Sequence, residues 1–188
     1  MKVGSVTAIG LAVILAALVP ACTNRTSQSV TRRQNANDGT GVALSLTMVD
    51  SKVPLGGNVV VKVKLTNHTN GNVWINSRML LNAVSWPSEL REVWIMLQDP
   101  DNHPVSFDCL KNIWPMDDSG YRVLAPGKSV EDVDILSDCF RFDRPGKYKL
   151  AAFYQDGQKT PPRPPPGSIY VSQLLESAPT EVEIVGTR

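Results

Sequence analysis

Hydrophobic and polar residues alternate with a period of two along most of the chain after residue 41, which is the spacing of half-buried β-strands. The alternation is clearest in residues 59–65, where valine and leucine occupy one face and two lysines lie on the other. Alternation like that of residues 59–65, or a short apolar run, predicts further strands at 42–48, 73–76, 79–84, 92–98, 121–124, 130–136, 147–155, 169–171 and 181–185. Residues 172–178 could form one or two helical turns, and we expect no longer helix.

Turn-forming residues separate these segments at intervals of roughly ten residues. Asn70-Gly71 is a dipeptide typical of tight hairpins, so it predicts a hairpin between the strands on either side of it. Residues 73–76 and 79–84 could form two short strands or one bulged strand. Over the whole region we expect eight or nine short antiparallel strands. This pattern is typical of an all-β sandwich or barrel.

The run Asp143-Arg144-Pro145-Gly146-Lys147-Tyr148-Lys149-Leu150 resembles the corner before strand F of immunoglobulin-like domains. The resemblance covers residues 121–155. It implies that Tyr148 reaches back to an upstream backbone group and that Leu150 takes a core position. Residues 42–188 are therefore expected to form an immunoglobulin-like antiparallel β-sandwich. The resemblance concerns the fold and does not specify a function.

The N-terminus has the features of an export signal. Lys2 precedes an uncharged apolar stretch at residues 8–19. As a helix this stretch would rise only about 18 Å, less than the roughly 30 Å of a membrane's hydrocarbon core, which predicts a signal peptide over residues 1–21. The run Val19-Pro20-Ala21-Cys22 resembles a bacterial lipobox, which implies cleavage before Cys22 and a covalent lipid on its sulfur. An ordinary secretory signal that carries a cysteine near its cleavage site is the alternative.

Residues 22–41 are predicted to be the lipidated cysteine and a flexible tether. After Cys22 this segment has one large apolar residue, Val30, and no aromatic residue, so it cannot bury enough surface to offset its ordering entropy. A coil of this length reaches roughly 24 Å. If the sorting rules of bacterial lipoproteins carry over, Thr23 favours the outer membrane, on its periplasmic or surface face, in a cell that has two membranes.

Acylation of Cys22 would leave Cys109 and Cys139 as an even pair in an exported chain, which predicts one disulfide. Two buried free thiols are the alternative. No C-x-x-C spacing is present, and His68 and His103 both lie in turn-like runs, so we expect no metal site. The covalent lipid is the only attached group that we expect.

Residues 99–102, Asp-Pro-Asp-Asn, superficially resemble a calcium-binding loop. However, the sixth position of such a loop would be Pro104 instead of glycine, and the twelfth would be Leu110 instead of glutamate. Aspartate and asparagine are also common turn formers, so we interpret these residues as a turn.

Charge and motif content exclude several functional classes. The chain has 19 basic and 18 acidic residues, and Lys2 would be lost with the signal peptide, so the mature chain carries no basic excess for a nucleic-acid partner. The motifs G-x-S-x-G, H-E-x-x-H and S-x-x-K are absent from the sequence. We therefore do not expect an enzyme.

Four tryptophans carry the remaining hints. Trp86 and Trp114 each precede a proline in predicted loops, where they could stack on sugar rings or contact a partner protein; alternatively, both fold down as plugs. Trp74 and Trp94 lie on predicted strands and are expected to pack. The proline tract at 161–166 predicts a stiff, extended connection between neighbouring strands, with recognition by an SH3-type groove as the alternative.

These features favour a non-catalytic lipoprotein of the bacterial cell envelope, anchored to the membrane, that interacts with an envelope protein or acts as an accessory module. The alternative is a carbohydrate- or peptidoglycan-binding module that uses Trp86 and Trp114. A protease inhibitor is a third hypothesis, and it is implied only by a similarity to the sandwiches of the intracellular proteinase inhibitor type.

Overall fold

The computed structural model describes residues 41–81, 92–109, 118–158 and 161–186. None of the described residues belongs to a helix that is long and apolar enough to cross a membrane. Within these ranges, 3₁₀ turns lie at Asp118–Gly120 and Leu136–Asp138. The strands of the described ranges are β1 (Val42–Met48), β2 (Lys52–Pro54), β3 (Val60–Asn67), β4 (Asn72–Asn76), β5 (Val93–Gln98), β6 (Pro104–Val105), β7 (Tyr121–Leu124), β8 (Ser129–Ile135), β9 (Gly146–Tyr154), β10 (Ser168–Tyr170), β11 (Leu175–Glu176) and β12 (Thr180–Val185).

The strands form three sheets. The first has the order β1-β3-β8, and the second has the order β2-β12-β9-β5-β6, with β11 also paired to β9. The third has the order β10-β4-β7. β2 pairs with β12 in parallel, as does β4 with β10, whereas the other strand pairings are antiparallel. Two of the sheets therefore combine parallel and antiparallel pairs, whereas the sequence predicted antiparallel strands throughout.

One hydrophobic core joins the sheets. From β3 it takes Val61, Val63 and Leu65, and from β9 it takes Leu150 and Ala152, each at most 1% exposed. Alternation places these residues on one face of each strand. Burial of a valine or leucine side chain contributes about 1.5–3 kcal/mol. The all-β sandwich predicted from the alternation is confirmed.

Nine of the predicted segments are strands, with boundaries that agree within two residues. The sequence pattern missed β2, β6 and β11, because two or three residues are too few to show a period of two. Residues 172–178 contain β11 instead of helical turns, since Leu175 pairs with Tyr154. In the segment predicted at 79–84, Leu81 makes an isolated bridge with Val93, and residues 82–84 lie outside the described ranges.

The hairpin predicted from Asn70-Gly71 is wrong. β3 pairs with β1 and β8, whereas β4 pairs with β7 and β10, so this turn crosses from one sheet to another. The Asn67 side chain, which is fully buried, fixes the crossing. Its Nδ2 donates to the carbonyls of Gly71 and Leu124, both at 2.8 Å, and its Oδ1 accepts from the backbone and the hydroxyl of Thr69. These bonds satisfy both the donor and the acceptor end of the amide.

The corner before β9 has the contacts that the resemblance implied. Tyr148 Oη donates to the carbonyl of Arg144 at 3.2 Å, and Leu150 is 1% exposed. Gly146 has φ +136°, and a Cβ there would lie 2.5 Å from Pro100 Cγ, so only glycine fits this turn. The contact and the core position are confirmed, and membership of the immunoglobulin-like group stays a prediction that they support.

β9 carries a second buried tyrosine. Tyr154 Oη donates to the carbonyl of Asn76 in β4 at 3.0 Å, which ties the third sheet to the second. Burial raises the pKa of Tyr154 well above its usual range, so its hydroxyl stays a donor.

The two tyrosines allow a test of the corner. We expect Tyr148→Phe to lower the free energy of unfolding by about 0.5–1.5 kcal/mol, because Arg144 is only half-buried and water can replace the lost donor. Tyr154→Phe should cost about 1–3 kcal/mol, because its acceptor lies in the core. Urea denaturation at neutral pH measures both values. A larger loss for Tyr148→Phe than for Tyr154→Phe would contradict this account.

Candidate functional site

The residues that the sequence singled out have different outcomes. Cys22, Trp86 and Trp114 lie outside the described residues. Cys109 and Cys139 form the predicted disulfide, with their Cα atoms 4.7 Å apart. The bond joins the chain after β6 to the 3₁₀ turn after β8, and the backbone N–H of Asp108 donates to the carbonyl of Cys139 at 2.7 Å beside it. The prediction of a disulfide is confirmed.

The described residues show where the two tryptophan-bearing segments join the fold. The Arg78 guanidinium binds the Glu92 carboxylate, which also accepts from the backbone N–H of Leu80 at 2.9 Å, so both ends of segment 82–91 are held together. Segment 110–117 leads into Gly120, whose carbonyl accepts from the backbone and the hydroxyl of Ser77 at 2.8 and 2.9 Å. One end of segment 110–117 therefore joins the fold beside the strand end that leads towards segment 82–91.

Trp74 and Trp94 both pack on sheet faces, as expected. Trp94 is 5% exposed and stacks on Phe153, with ring centroids 5.5 Å apart. Trp74 stacks on Tyr121 at 5.8 Å and donates from Nε1 to the carbonyl of Pro162 at 3.2 Å. The proline tract thus packs against β4. It connects β9 to β10, which belong to different sheets, so the predicted connection between neighbouring strands is wrong in that respect.

A buried carboxylate lies at the end of β9. Asp156 is 6% exposed, and its Oδ2 accepts from the hydroxyls of Tyr121 at 2.5 Å and Tyr170 at 2.8 Å. Burial raises the pKa of both tyrosines, and the carboxylate that they bind raises it further. Both phenols therefore stay protonated and act as donors. This cluster joins β7 and β10 to the end of β9 and is a structural contact.

The acidic turn after β5 is also structural. Asp99, Asp101 and His103 bring three ligand-type atoms within 4.8 Å of one another, but Arg144 donates to both carboxylates, at 2.5 Å and 2.6 Å. The backbone N–H of Asn102 donates to the carbonyl of Asp99 at 2.9 Å, which closes the predicted turn. Burial acts to raise the pKa of Asp99, but hydrogen bonds from two backbone amides and Arg144 outweigh it and lower the pKa.

The strongest candidate for a binding site is a groove of about 570 Å³ beside β5 and β9, which we call the β5–β9 groove. Strands β6, β5, β9 and β11 line it in their spatial order, together with residues after β6 and β11. Its polar lining residues are Gln98, Ser106, Lys149 and Glu176. The others are apolar: Ile95, Met96, Leu97, Pro104, Val105, Phe107, Phe140, Leu150, Ala151, Phe153 and Pro179.

The middle of the groove is open and apolar. Met96 is 52% exposed and lies directly opposite Ala151 in the β5–β9 ladder, where the small side chain of Ala151 leaves space. The next pair along the same face is Trp94 with Phe153, and the pair in the other direction is Gln98 with Lys149. Lys149 Nζ is held by Asn102 Oδ1 at 2.9 Å. Gln98 and Lys149 thus lie at one end of the groove, whereas Glu176 pairs with Phe153 towards the other end.

The disulfide supports one side of the groove. Phe107 and Phe140 bridge to each other and meet edge to face, with ring centroids 5.3 Å apart. Phe140 follows Cys139 directly, and Phe107 precedes Cys109 by two residues. The Cys109–Cys139 bond therefore fixes the separation of the two segments that carry these rings.

No protein-family model matches the chain, and a comparison with curated protein sequences finds no relative. We therefore infer a function from the chain's own residues.

The sequence did not identify the groove, although it contained a signal. Residues 93–97 are apolar on both faces of the strand, with Val93, Ile95 and Leu97 on one side and Trp94 and Met96 on the other. A strand whose outer face is exposed to water usually alternates between apolar and polar residues. The additional apolar face indicates a covered or ligand-binding surface, but the groove also needs β6 and β11, which were too short to predict.

The disulfide can be tested in solution. The chain-entropy model assigns about 3.6 kcal/mol to closure of a loop of about 30 residues, so reduction should lower the free energy of unfolding by about that amount. A Cys109→Ala/Cys139→Ala variant should lose a similar amount and show no response to reductant. Alkylation with iodoacetamide and mass spectrometry gives an independent check, because two labelled thiols in the unreduced protein would contradict the bond.

Proposed function

We propose that this protein is a non-catalytic module of the bacterial cell envelope that binds an apolar segment of a partner protein in the β5–β9 groove. The observation that carries the proposal is the groove itself. Its volume of about 570 Å³ is within the range of roughly 300–1,000 Å³ that is typical of ligand sites. Met96 is exposed within a concave apolar surface, and such a surface indicates a binding site. A single exposed apolar residue on a polar surface would not indicate one.

The chemistry of the lining supports a protein segment as the ligand. Methionine and aromatic side chains are common where one protein binds another, because they bury a large area and methionine adapts its shape. Recognition of a sugar requires several polar groups aimed at hydroxyls. Of the four polar lining residues, Lys149 already binds Asn102, and the central pair of the groove, Met96 and Ala151, is apolar.

Sequence features support the envelope location. An export signal, a lipid on Cys22 and a flexible tether would hold the domain close to a membrane, since two acyl chains anchor a protein stably where one does not. The Cys109–Cys139 disulfide fits an exported chain. Thr23 after the lipidated cysteine favours the outer membrane in a cell with two membranes.

In-cell photocrosslinking tests the groove directly. A benzophenone amino acid at Met96 of the full-length protein should form an adduct with one discrete protein. The same probe at Ser45, which is exposed on β1 in the other sheet, should not form that adduct. Ala151→Arg fills the middle of the groove and should abolish the Met96 adduct, while circular dichroism shows that the fold is retained.

Two results would contradict the proposal. One is the absence of a protein adduct from Met96. The other is an adduct that persists in the Ala151→Arg chain or forms equally from Ser45, because neither depends on the groove. Identification of the adduct by mass spectrometry would name the partner.

A glycan-binding function is the second candidate, and one observation favours it. The Ser77–Gly120 hydrogen bonds join the chain after β4, which leads towards segment 82–91, to the turn that follows segment 110–117, and each of these two segments carries one of the tryptophans. If these tryptophans bind sugar, Trp86→Ala and Trp114→Ala should each reduce binding to isolated peptidoglycan roughly tenfold. Met96→Ala should leave that binding unchanged. Unchanged binding in the tryptophan variants, or no binding at all, would exclude this candidate.

A further inference from the structure

One face of the third sheet carries an aromatic ring from each of its three strands. Tyr170 pairs with Trp74, and Trp74 pairs with Val123, so these side chains form a row across β10, β4 and β7. Tyr121, two residues before Val123, stacks on Trp74. The neighbour of Trp74 along β4, Val73, points to the opposite face and belongs to the core. We call Trp74, Tyr121 and Tyr170 the aromatic face.

The Asp156 carboxylate holds the aromatic face in one conformation. Its Oδ2 accepts from the hydroxyls of both Tyr121 and Tyr170, so the tips of these two rings are fixed at the same point. Trp74 lies against the Tyr121 ring with 24° between the ring planes. Side chains that are fixed before a ligand binds lose little conformational entropy when it does, which favours binding.

The proline tract at 161–166 has the exposure pattern of a polyproline II helix that is packed on a surface. Such a helix has three residues per turn, so every third residue lies on the same ridge. Two residues that are three positions apart, Arg163 and Pro166, are exposed. The other four residues are half-buried: Pro161, Pro162, Pro164 and Pro165. Two of the three ridges are therefore covered by the rest of the protein, and the third faces water.

The tract contacts the aromatic face through Trp74, whose Nε1 donates to the carbonyl of Pro162 at 3.2 Å. A polyproline II helix makes no internal hydrogen bonds, so its carbonyls can accept from an indole N–H. Domains that recognise proline-rich segments bind them in grooves lined by aromatic side chains. The contact between the tract and the aromatic face has the same chemistry. With a single exposed ridge, the tract cannot enter an SH3-type groove of another protein unless it first leaves this face.

The tract is held more firmly at its ends than in its middle. Before it, the backbone N–H of Gln158 donates to Asp156 Oδ1 at 3.2 Å. After it, the backbone N–H of Ser168 donates to the carbonyl of Pro165 at 3.1 Å, and Gly167, with φ +78°, takes the position that favours glycine in a type II turn. Within the described ranges, the bond from Trp74 is the one hydrogen bond between the tract and the aromatic face. The middle of the tract can therefore leave the face while both ends stay in place.

We propose that the aromatic face is a binding site for polyproline II segments, which the chain's own tract occupies and which a proline-rich segment of a partner protein binds when it displaces the tract. The groups that the face contacts are a backbone carbonyl and proline rings, whereas Arg163, the one other side chain of the tract, is exposed. A proline-rich segment of another protein offers the same groups. The site belongs to the third sheet and does not depend on the function proposed for the β5–β9 groove.

The covalent attachment of the tract sets how strongly a partner must compete. A segment on a short flexible link has an effective concentration of about 1 mM at its site. The partner binds only the fraction of molecules in which the face is open, so its apparent Kd rises as that fraction falls. Any change that loosens the tract should therefore strengthen binding of a separate proline-rich segment.

Peptide binding to the full-length protein tests the inference. The probe is a fluorescent peptide with the sequence of residues 161–166, and fluorescence anisotropy measures its Kd. Pro161→Gly/Pro164→Gly in the chain removes the preference for polyproline II from the tract, so the peptide should bind this variant roughly tenfold more tightly than the wild type. Arg163→Ala is the matched control, because it changes the exposed ridge, and it should leave the Kd unchanged. Circular dichroism checks that the variants retain the fold.

Two further comparisons, both made in the loosened chain, locate the binding surface. Trp74→Phe keeps a ring but removes the donor, so it should weaken peptide binding roughly fivefold. Trp94→Phe makes the same change on the second sheet and should have no effect. In the peptide, alanine at the two positions equivalent to Pro162 and Pro165 should weaken binding roughly tenfold, because both lie on covered ridges. Alanine at the two exposed positions should change the Kd less than twofold.

Four results would each overturn the inference. They are no binding of the peptide to the loosened chain, equal binding to the loosened and wild-type chains, equal effects of the two tryptophan changes, and equal effects of alanine at covered and exposed peptide positions. The peptide series does not alter the protein, so it remains a valid test if Trp74→Phe disturbs the fold.

Discussion

The alternation of β9 is the constraint on which the rest of the structure depends. This strand pairs with β5 on one side and with β12 and β11 on the other, so it lies inside the second sheet. Its inner residues, Tyr148, Leu150, Ala152 and Tyr154, are at most 1% exposed and belong to the core. Its outer residues include Ala151 and Phe153, which line the groove. A shift of one residue in the register would exchange the two sets, so the core and the groove are specified by the same pairing.

Buried polar contacts attach the third sheet to the other two sheets. Hydrophobic burial alone would not fix the position of the third sheet. Tyr154 binds the carbonyl of Asn76, Asp156 binds two tyrosines from β7 and β10, and Asn67 bridges two turns. Each of these groups is largely buried, so it would lose free energy if it left its partner. Directional bonds of this kind select one arrangement of the sheets among several that would bury similar apolar area.

The sequence predicted the elements whose signal is local. Nine strands, the corner at Tyr148 and the disulfide follow from alternation, turn residues and an even cysteine count. The pairing partners could not be predicted locally, as the Asn70-Gly71 turn shows. This turn leads from the first sheet to the third, and the Asn67 side chain holds it there through the carbonyl of Leu124, which is distant in sequence. The groove was missed for the same reason, since its lining comes from β5 and β9 and from strands too short to leave a pattern. In β8, the register with β3 places Asp132 and Asp134 beside Val63 and Val61 of the core face, which alternation along one strand does not reveal.

The groove is tied to the first sheet through a short connection. Strand β8 ends at Ile135 and Phe140 lines the groove, with the 3₁₀ turn Leu136–Asp138 and Cys139 between them. Leu136 is fully buried and its backbone N–H donates to the carbonyl of Val59 at 2.7 Å, while Cys139 is held by the disulfide. The position of Phe140 therefore depends on both sheets, because a change in packing at the end of β8 is transmitted through close-packed neighbours to the lining of the groove.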